Sequence, residues 1–334
     1  MTAHHPGSLH IPSPQDAVGT PIDSPLSGLP PAQFSDGEVL TFQYATEPAA
    51  IRALLPEPLE PVNDTVQVQV SRWGNVPGSG RNIHECNVMV AARYRGAHGT
   101  VLGAYSPYFW VESDRAMAGG REFHGQPKRI AEISVQAIGD LHIGRVRHNG
   151  IDIFTGTMQY KASPSSPDRL RSRVDLITNI NFKVINHIDG RPAIKQLTAR
   201  DLTDLTVHEC WEGPCTAEIR PSATAPLYRL PALTFLEGFY WLTDFRLVGG
   251  TILHDYLEAR PDAAKALPNG RWFHAPSNHP LRGRQPVRPG RQNRACLSRW
   301  RPFWGSIWSR SRSWSLFCSA AGPGSATSVV PSRG

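Results

Sequence analysis

The run GREFHGQPKRIAEI, residues 120–133, contains a lysine whose setting suggests covalent chemistry. Lys128 follows a proline, which restricts its own backbone and favours an extended conformation at Gln126, so the lysine side chain leaves from a stiff point. An amine attacks a carbonyl only when neutral, yet a free lysine with a pKa near 10.4 is almost fully protonated at pH 7. We therefore expect an apolar setting and the charge of Arg129 to lower the pKa of Lys128.

The glycines around this lysine indicate where the backbone turns or approaches another group. Gly119 immediately precedes the run, Gly120 begins it, and Gly125 lies three residues before Lys128. Glycine is favoured where a side chain would not fit or where φ is positive. The alternative interpretation is a solvated loop, since most lysine and arginine side chains are exposed.

Four blocks of sequence give this chain a resemblance to a known family. They are PEPLE at 56–60, GREFHGQPKRIAEI at 120–133, VHECWEGP at 207–214 and HDYLEA at 254–259. In order and spacing they resemble the acetoacetate decarboxylase family over residues 34–258. The resemblance implies a β-barrel with a central cavity, a homo-oligomer, and a Schiff base between Lys128 and a small oxo acid. Acetoacetate decarboxylase is itself the standard example of a lysine activated by desolvation or by a cationic neighbour.

The same resemblance implies roles for other residues and reveals two departures. Glu85 matches a glutamate of the family's site and would handle protons, and Arg129 stands where the family has a second lysine. Gly37 stands where the family has an arginine that can meet the substrate carboxylate, and Gln69 stands where it has a second carboxylate. Both departures remove groups that would handle the charge of the substrate, because bidentate arginine is the usual partner of a carboxylate.

Further side chains are candidates to line the cavity and to contact substrate. Aromatic residues would desolvate the lysine, although each of them is as well explained as ordinary core. Two polar side chains would orient a second substrate. The aromatic candidates are Trp73, Phe109, Trp110 and Phe123, and the polar candidates are Gln126 and Tyr256.

The reaction that we predict is decarboxylation of a small β-keto acid such as acetoacetate through an iminium ion on Lys128. No organic cofactor is required, because the lysine is the electron sink. Two alternatives stay open. The same intermediate supports an aldol condensation with dehydration of a pyruvate-like oxo acid, and a barrel that has lost catalysis would bind a small ligand reversibly.

Composition divides the 334 residues into three parts. Residues 1–33 are rich in Pro and Ser and are expected to be disordered, and residues 34–260 form the barrel domain. Residues 261–334 carry 12 Lys and Arg against the single acid Asp262, whereas residues 1–260 carry 23 against 27 acids. This tail, rich in Arg, Ser and Trp, is expected to be disordered and resembles a GC-rich gene read in a shifted frame. Binding of nucleic acid by its Arg and Trp residues is the less favoured interpretation.

The remaining expectations concern location and metals. The sequence contains no run of 18 apolar residues and no signal peptide, so we expect a cytoplasmic protein without membrane contact. The five cysteines form no CxxC motif, and the 13 histidines show no ligand spacing, so neither a disulfide framework nor a metal site is indicated.

Strand patterns dominate the central region and predict a mostly β (α+β) fold, an antiparallel β-barrel with a few short helices. The clearest strand is TVQVQVSR at 65–72, and further strands are expected at 39–44, 87–95, 100–111, 132–138 and 197–209. Asn149 and Gly150 predict a two-residue hairpin turn. Short helices are expected at 48–55 and 114–118, the second with Ser113 or Asp114 able to cap it.

Overall fold

The structure is a computed structural model that describes residues 13–97, 99–173 and 178–258. The basic tail expected at 261–334 lies outside the described residues. Within the described part, no helix is both long enough and apolar enough to cross a bilayer.

The described chain is mostly β, as the sequence predicts. Its three α-helices are α1 (Pro48–Leu54), α2 (Asp114–Gly119) and α3 (Pro167–Arg173), with a π-helical turn at Gly120–His124 and a 3₁₀ turn at Leu227–Arg229. The strands are β1 (Ala32–Ala45), β2 (Glu60–Val76), β3 (Gly80–Gly96), β4 (Gly99–Val111), β5 (Lys128–Ile130), β6 (Glu132–Ile138), β7 (Leu141–His148), β8 (Ile151–Gln159), β9 (Ser163–Pro164), β10 (Thr178–Asn186), β11 (Pro192–Gly213), β12 (Cys215–Ile219), β13 (Thr234–Leu247) and β14 (Thr251–Asp255).

The larger sheet closes on itself. Its strands follow the order β10-β11-β13-β1-β2-β3-β4-β5, and an additional parallel pairing between β10 and β4 completes a ring. β9 and β14 pair with β11, and a separate antiparallel sheet has the order β12-β8-β7-β6. Apart from β4–β5 and β10–β4, the strand pairs are antiparallel across the described residues. The side chains on one face of these strands therefore point into the interior of the ring.

The alternating strand β2 shows what lies against each face of the ring. Val66, Val68 and Val70 are fully buried and join the main hydrophobic core outside the ring. The polar residues of the same strand do not face solvent, as alternation usually implies, because Gln69 and Trp73 line an internal cavity. A polar face that would normally meet bulk water lines a cavity inside the ring instead.

The second sheet packs closely on the outside of the ring, and glycines allow the approach. A Cβ on Gly144 would lie 3.0 Å from Val70, and one on Gly156 would lie 2.7 Å from the ring of Phe42. Because neither glycine has a side chain, β7 and β8 approach β1 and β2 closely enough to bury Phe42 and Val70 between the two sheets. The outer face of the ring, on the side away from the cavity, is therefore packed against the second sheet.

Local turn and cap signals in the sequence are confirmed. Asn149 and Gly150 have φ of 51° and 78°, the left-handed backbone that a type I′ turn requires, and they join β7 to β8. Helix α2 is capped by Ser113, whose side chain accepts the Ala116 N–H at 3.3 Å.

Several elements carry no clear pattern in the sequence. We did not predict α3, nor the strands β5, β9, β10, β12, β13 and β14. The inward face of β10 explains one omission, since Asn179 and Asn181 are buried although both are polar. A strand with polar groups on a buried face shows neither alternation nor an apolar run.

Candidate active site

The backbone before the lysine forms a tight and unusual turn. Helix α2 continues into the π-helical turn Gly120–His124, which ends at Gly125 with φ 76° and ψ 16°. The Gln126 N–H donates to the Gly120 carbonyl at 2.9 Å, and the Lys128 N–H donates to the Gln126 carbonyl at 2.8 Å. These bonds hold both sides of Pro127, so Lys128 enters β5 from a constrained segment, as the sequence predicts. π-helical turns occur frequently at functional sites.

Two of the glycines in this run are required by close contacts. A Cβ on Gly120 would lie 2.5 Å from Lys128 Cδ and 2.7 Å from Gln126 Oε1. A Cβ on Gly125 would lie 2.5 Å from Lys183 Cβ, at a positive φ that already disfavours other residues. The backbone at Gly120 therefore forms one wall of the channel that contains the lysine stem.

Lys128 and Glu85 form a buried pair. Lys128 Nζ lies 2.6 Å from Glu85 Oε1, and the two residues are only 6% and 8% exposed. The same nitrogen lies 4.7 Å from the centre of the Phe109 ring. At this separation a proton can pass directly between the amine and the carboxylate.

Burial lowers the pKa of Lys128 below its ordinary value, and the charge of Arg200 lowers it further. Glu85 acts in the opposite sense, because its charge and its hydrogen bond favour the ammonium form. The apolar setting expected from the sequence is thus present. Among the described residues, the cation that acts on the amine is Arg200.

Arg129 does not reach the amine. It follows Lys128 on β5, and adjacent residues of a strand point to opposite faces. Arg129 is exposed, and its guanidinium donates to the Thr224 carbonyl. The expectation that Arg129 supplies the neighbouring charge is corrected accordingly, because strand alternation directs its side chain away from the cavities.

A row of side chains runs across four neighbouring strands towards the lysine. Gln69 on β2 pairs with Asn87 on β3, Asn87 pairs with Phe109 on β4, and Phe109 pairs with Lys128 on β5. Two residues further along β2, on the same face, Ser71 pairs with Glu85. Residues from four neighbouring strands thereby share one surface inside the ring.

Two cavities meet at the Lys128–Glu85 pair. The lysine cavity, about 70 Å³, is lined by Lys128, Glu85, Gln126, Phe123 and residues 27–31 of the N-terminal segment. The arginine cavity, about 80 Å³, is lined by Gln69, Trp73, Glu85, Asn87, Phe109 and Arg200. Glu85 belongs to both walls, and Phe109, which lies against the lysine amine, belongs to the second.

The N-terminal segment contributes more than its composition indicates. Residues 1–33 are expected to be disordered, but Ser27, Leu29 and Pro31 form part of the lysine cavity. A Cβ on Gly119 would lie 2.2 Å from Ser27 Oγ, which shows how closely this segment approaches α2. Residues 27–31 therefore line the site, although the composition of this segment predicts disorder.

The remaining predicted residues separate into two groups. Gln126 and Phe123 line the lysine cavity, whereas Gln69 lines the arginine cavity. Trp110 is 1% exposed within the hydrophobic core, on the face of β4 opposite Phe109, so it does not line either cavity. Tyr256 donates a hydrogen bond to the Glu57 carbonyl and packs on Phe182, away from both.

The place of the absent arginine is filled. A Cβ on Gly37 would lie 2.3 Å and 2.6 Å from ring carbons of Trp73, and 2.7 Å from the Thr243 carbonyl. The Trp73 indole therefore occupies the space into which any side chain at position 37 would project. No side chain fits there without displacing the indole.

Arg200 and Asn87 are site residues that we did not predict. Arg200 lies on β11 between Thr198 and Leu202, and Leu202 also lines the arginine cavity. Its only signal in the sequence is that two-residue spacing inside an expected strand. The spacing alone does not distinguish an inward arginine from an outward one.

His124 is the histidine beside this pair. It is 8% exposed and lines the lysine cavity. Burial, followed by the charges of Arg200, Lys128 and Lys183, lowers the pKa of His124 to about 3. The imidazole is thus neutral near pH 7 and adds no charge next to the amine.

Comparison with known proteins agrees with this geometry. The family profile described as Acetoacetate decarboxylase (ADC) matches residues 19–257. The chain belongs to the acetoacetate decarboxylase family. A relative named acetoacetate decarboxylase from Paraburkholderia xenovorans is 32% identical over 242 residues, covering 72% of this chain and 94% of the relative. Acetoacetate decarboxylase 3 from Mesorhizobium japonicum is 30% identical over 241 residues, covering 72% and 92%.

Solved structures confirm the fold of this family member. The crystal structure of acetoacetate decarboxylase from Legionella pneumophila matches with a TM-score of 0.65 and 30% identity, over 69% of this chain and 89% of that one. The enduracididine biosynthesis enzyme MppR, solved with pyruvate, matches with a TM-score of 0.61 over 72% of this chain and 98% of that one. At 20% identity, MppR is similar in fold only.

Proposed function

We propose that the chain is a carboxy-lyase that decarboxylates a small β-keto acid, such as acetoacetate, through a Schiff base on Lys128. The observation that carries the proposal is the buried contact of 2.6 Å between Lys128 Nζ and Glu85 Oε1 at the junction of two cavities. A desolvated lysine beside a proton acceptor is the arrangement that makes an amine nucleophilic near neutral pH.

The first stage forms the iminium ion. Glu85 accepts a proton from the Lys128 ammonium, and the neutral amine attacks the ketone carbon to give a carbinolamine. Glu85 returns the proton to the carbinolamine oxygen, which leaves as water when the C=N bond forms. The 2.6 Å contact between Lys128 Nζ and Glu85 Oε1 allows the first of these transfers without an intervening water.

The second stage breaks the C–C bond. The electron pair of the bond to the carboxylate moves into the iminium, carbon dioxide leaves, and a neutral enamine remains. Protonation at carbon restores an iminium, and water hydrolyses it to release the ketone and the free lysine. The iminium is a strong electron sink, so these residues need only generate it and shield it from bulk water.

A second candidate is an aldol condensation with dehydration. The observation that favours it is the presence of two cavities on the two sides of Glu85, since an aldol reaction requires a donor and an acceptor. The enamine of an oxo acid would attack an aldehyde that Gln126 orients in the lysine cavity. Pyruvate, with which MppR was solved, is the corresponding test compound.

Borohydride trapping followed by peptide mass mapping tests both candidates. The wild type and Lys128→Ala are each incubated with acetoacetate and with pyruvate. An adduct on Lys128 that has lost carbon dioxide supports the decarboxylase, and one that keeps the carboxylate supports the aldolase. If neither compound gives an adduct that depends on Lys128, both candidates fail for these substrates, and a barrel that binds a ligand without catalysis is favoured.

A further inference from the structure

The arginine cavity contains buried polar atoms that have no partner among the described residues. They are Nε and Nη1 of Arg200, Nε2 of Gln69, Nε1 of Trp73 and Oδ1 of Asn87. All four side chains line the same cavity. A buried polar group without a partner costs about 1–3 kcal/mol, so several together around one space indicate a site that a ligand completes.

The unpartnered atoms are mostly donors. Four are nitrogens that carry hydrogen, and one, the oxygen of Asn87, accepts. A ligand that satisfies them must offer several acceptor positions and few donors. A carboxylate has two oxygens with about four acceptor positions and no donor.

Arg200 adds charge to this set of donors. Burial lowers the pKa of Arg200 to about 10, which leaves the guanidinium protonated near pH 7. No carboxylate lies within ion-pair distance of Arg200 in the described residues, and Glu85 is already engaged by Lys128. Arg200 is half-buried, with Nε and Nη1 shielded from solvent, and the charges of Glu85 and Asp201 act on it only from beyond ion-pair distance, so an anionic ligand is favoured beside it.

The arginine cavity lies next to the lysine amine, so an anion bound there would lie close to Lys128. Glu85 and Phe109 line the arginine cavity, and both contact Lys128 Nζ. Because Trp73 fills the space beside Gly37, a guanidinium cannot approach from β1. Arg200 approaches from β11, where it pairs in register with Asn179 of β10.

We propose that Arg200, assisted by Gln69 Nε2 and Trp73 Nε1, binds the carboxylate of the substrate and directs its ketone towards Lys128. This inference rests on the proposed function and narrows its substrate to an oxo acid that enters the arginine cavity carboxylate first. Arg200 thus provides the positive charge that no residue at position 37 supplies. The aldehyde or ketone carbonyl of the bound oxo acid then faces the lysine cavity.

The test separates carboxylate binding from Schiff-base formation by using two probes. Butyrate has a carboxylate but no ketone, so its binding does not depend on Lys128 chemistry. The neutral diketone 2,4-pentanedione has the ketone of acetoacetate with an acetyl group in place of the carboxylate. Butyrate binding is measured by calorimetry, and the diketone is trapped on Lys128 with borohydride.

Three variants of the full chain are compared with the wild type. Arg200→Gln removes the charge, and Arg200→Lys keeps it without the bidentate geometry. Arg246→Gln is the control, because Arg246 is an exposed guanidinium on β13 whose removal leaves the cavity unchanged. Thermal unfolding without ligand is recorded for each protein.

We expect Arg200→Gln to weaken butyrate binding about 10- to 100-fold, the range for loss of a charge-assisted bidentate contact, and Arg200→Lys to restore part of it. For acetoacetate the loss should fall mainly on KM, with kcat changed much less, since the carboxylate is bound before the chemical step. Trapping of the diketone should stay within about 3-fold of wild type. Removal of a half-buried cation without an ion-pair partner should leave the Tm equal or higher, whereas a structural role would lower it.

Different failures have different meanings. The assignment of Arg200 is overturned if butyrate binds equally well to Arg200→Gln and to the wild type, or if it does not bind to the wild type at all. Normal diketone trapping in that case leaves the proposed function intact. An absence of any diketone adduct on wild-type Lys128 counts against the proposed function, and butyrate binding then still decides whether Arg200 holds a carboxylate.

Discussion

Gly120 provides a direct test of how tightly the lysine stem is held, because a single methyl group can be added beside it. The backbone at Gly120 has φ −62° and ψ −44°, an ordinary right-handed helical conformation. Alanine adopts this conformation readily and is favoured over glycine inside a helix by about 1 kcal/mol. Any loss in Gly120→Ala must therefore come from contacts of the new methyl group.

The size of the effect follows from the distances. The new Cβ would lie 2.5 Å from Lys128 Cδ and 2.9 Å from Lys128 Cε, against the 3.5–4.0 Å of an ordinary carbon contact. The lysine stem must therefore retreat by about 1 Å, and a misplacement of that size can cost about 100-fold in rate. Overpacking of this kind destabilises by about 1–3 kcal/mol. A loss of about 2–4 °C in Tm for each kcal/mol is expected for a domain of this size.

The assay is the rate of borohydride trapping of 2,4-pentanedione on Lys128, measured together with thermal unfolding. Gly249→Ala is the matched control, because its new methyl group would meet nothing within 4 Å and Gly249 has no positive φ. We expect a fall of about 100-fold in trapping for Gly120→Ala and no change for the control. Trapping within 2-fold of wild type in Gly120→Ala, at a normal Tm, would refute the argument that the Gly120 backbone positions the amine.

Three further predictions concern charge. Glu85→Gln removes the charge that raises the pKa of Lys128, so the amine is neutral at lower pH. The acid limb of the pH profile of diketone trapping should therefore move to lower pH. An acid limb that stays in place or moves to higher pH contradicts this prediction. Arg129→Gln should change the trapping rate less than 2-fold, because Arg129 is an exposed donor to a carbonyl, and a 10-fold loss would return Arg129 to the site. The pKa of His124, about 3 in the folded protein against 6.5 unfolded, means that the unfolded chain binds more protons and stability falls as pH drops from about 6.5 to 3. In His124→Gln the slope of the unfolding free energy between pH 6 and pH 4 should decrease by up to about 1.4 kcal/mol per pH unit, and an unchanged slope would show that His124 titrates normally.

The expected strands and turns that depend on local pattern could be read from the sequence. TVQVQVSR in β2, the Asn149-Gly150 turn and the serine cap of α2 each arise from backbone preferences and side-chain period within a few residues. The constrained segment that precedes Lys128 follows in the same way, since proline and glycine restrict the chain wherever they occur. These features need no knowledge of distant contacts.

The strands with buried polar residues could not be recognised, because the ring places polar side chains on a face that is neither solvent nor apolar core. Asn179 donates to the Ala104 carbonyl and to Ser106 Oγ, both more than 70 residues away, and the buried Asn181 donates to Asn179 Oδ1. Alternation reports the polarity of a face, but only the closed sheet decides whether a polar face meets water or a cavity.

The chemistry of the site divides along the same line. The sequence by itself determined that a constrained turn precedes Lys128, because residue type and local backbone suffice for this, and only the resemblance to the family implied that Glu85 belongs to the same site. Only the tertiary structure decided that Lys128 Nζ meets Glu85 at 2.6 Å, that Arg129 points outward, and that Arg200 carries the buried charge. The physical reason is strand pairing, which brings side chains from β2, β3, β5 and β11 to one interior through register and closure, over separations that no local preference reaches.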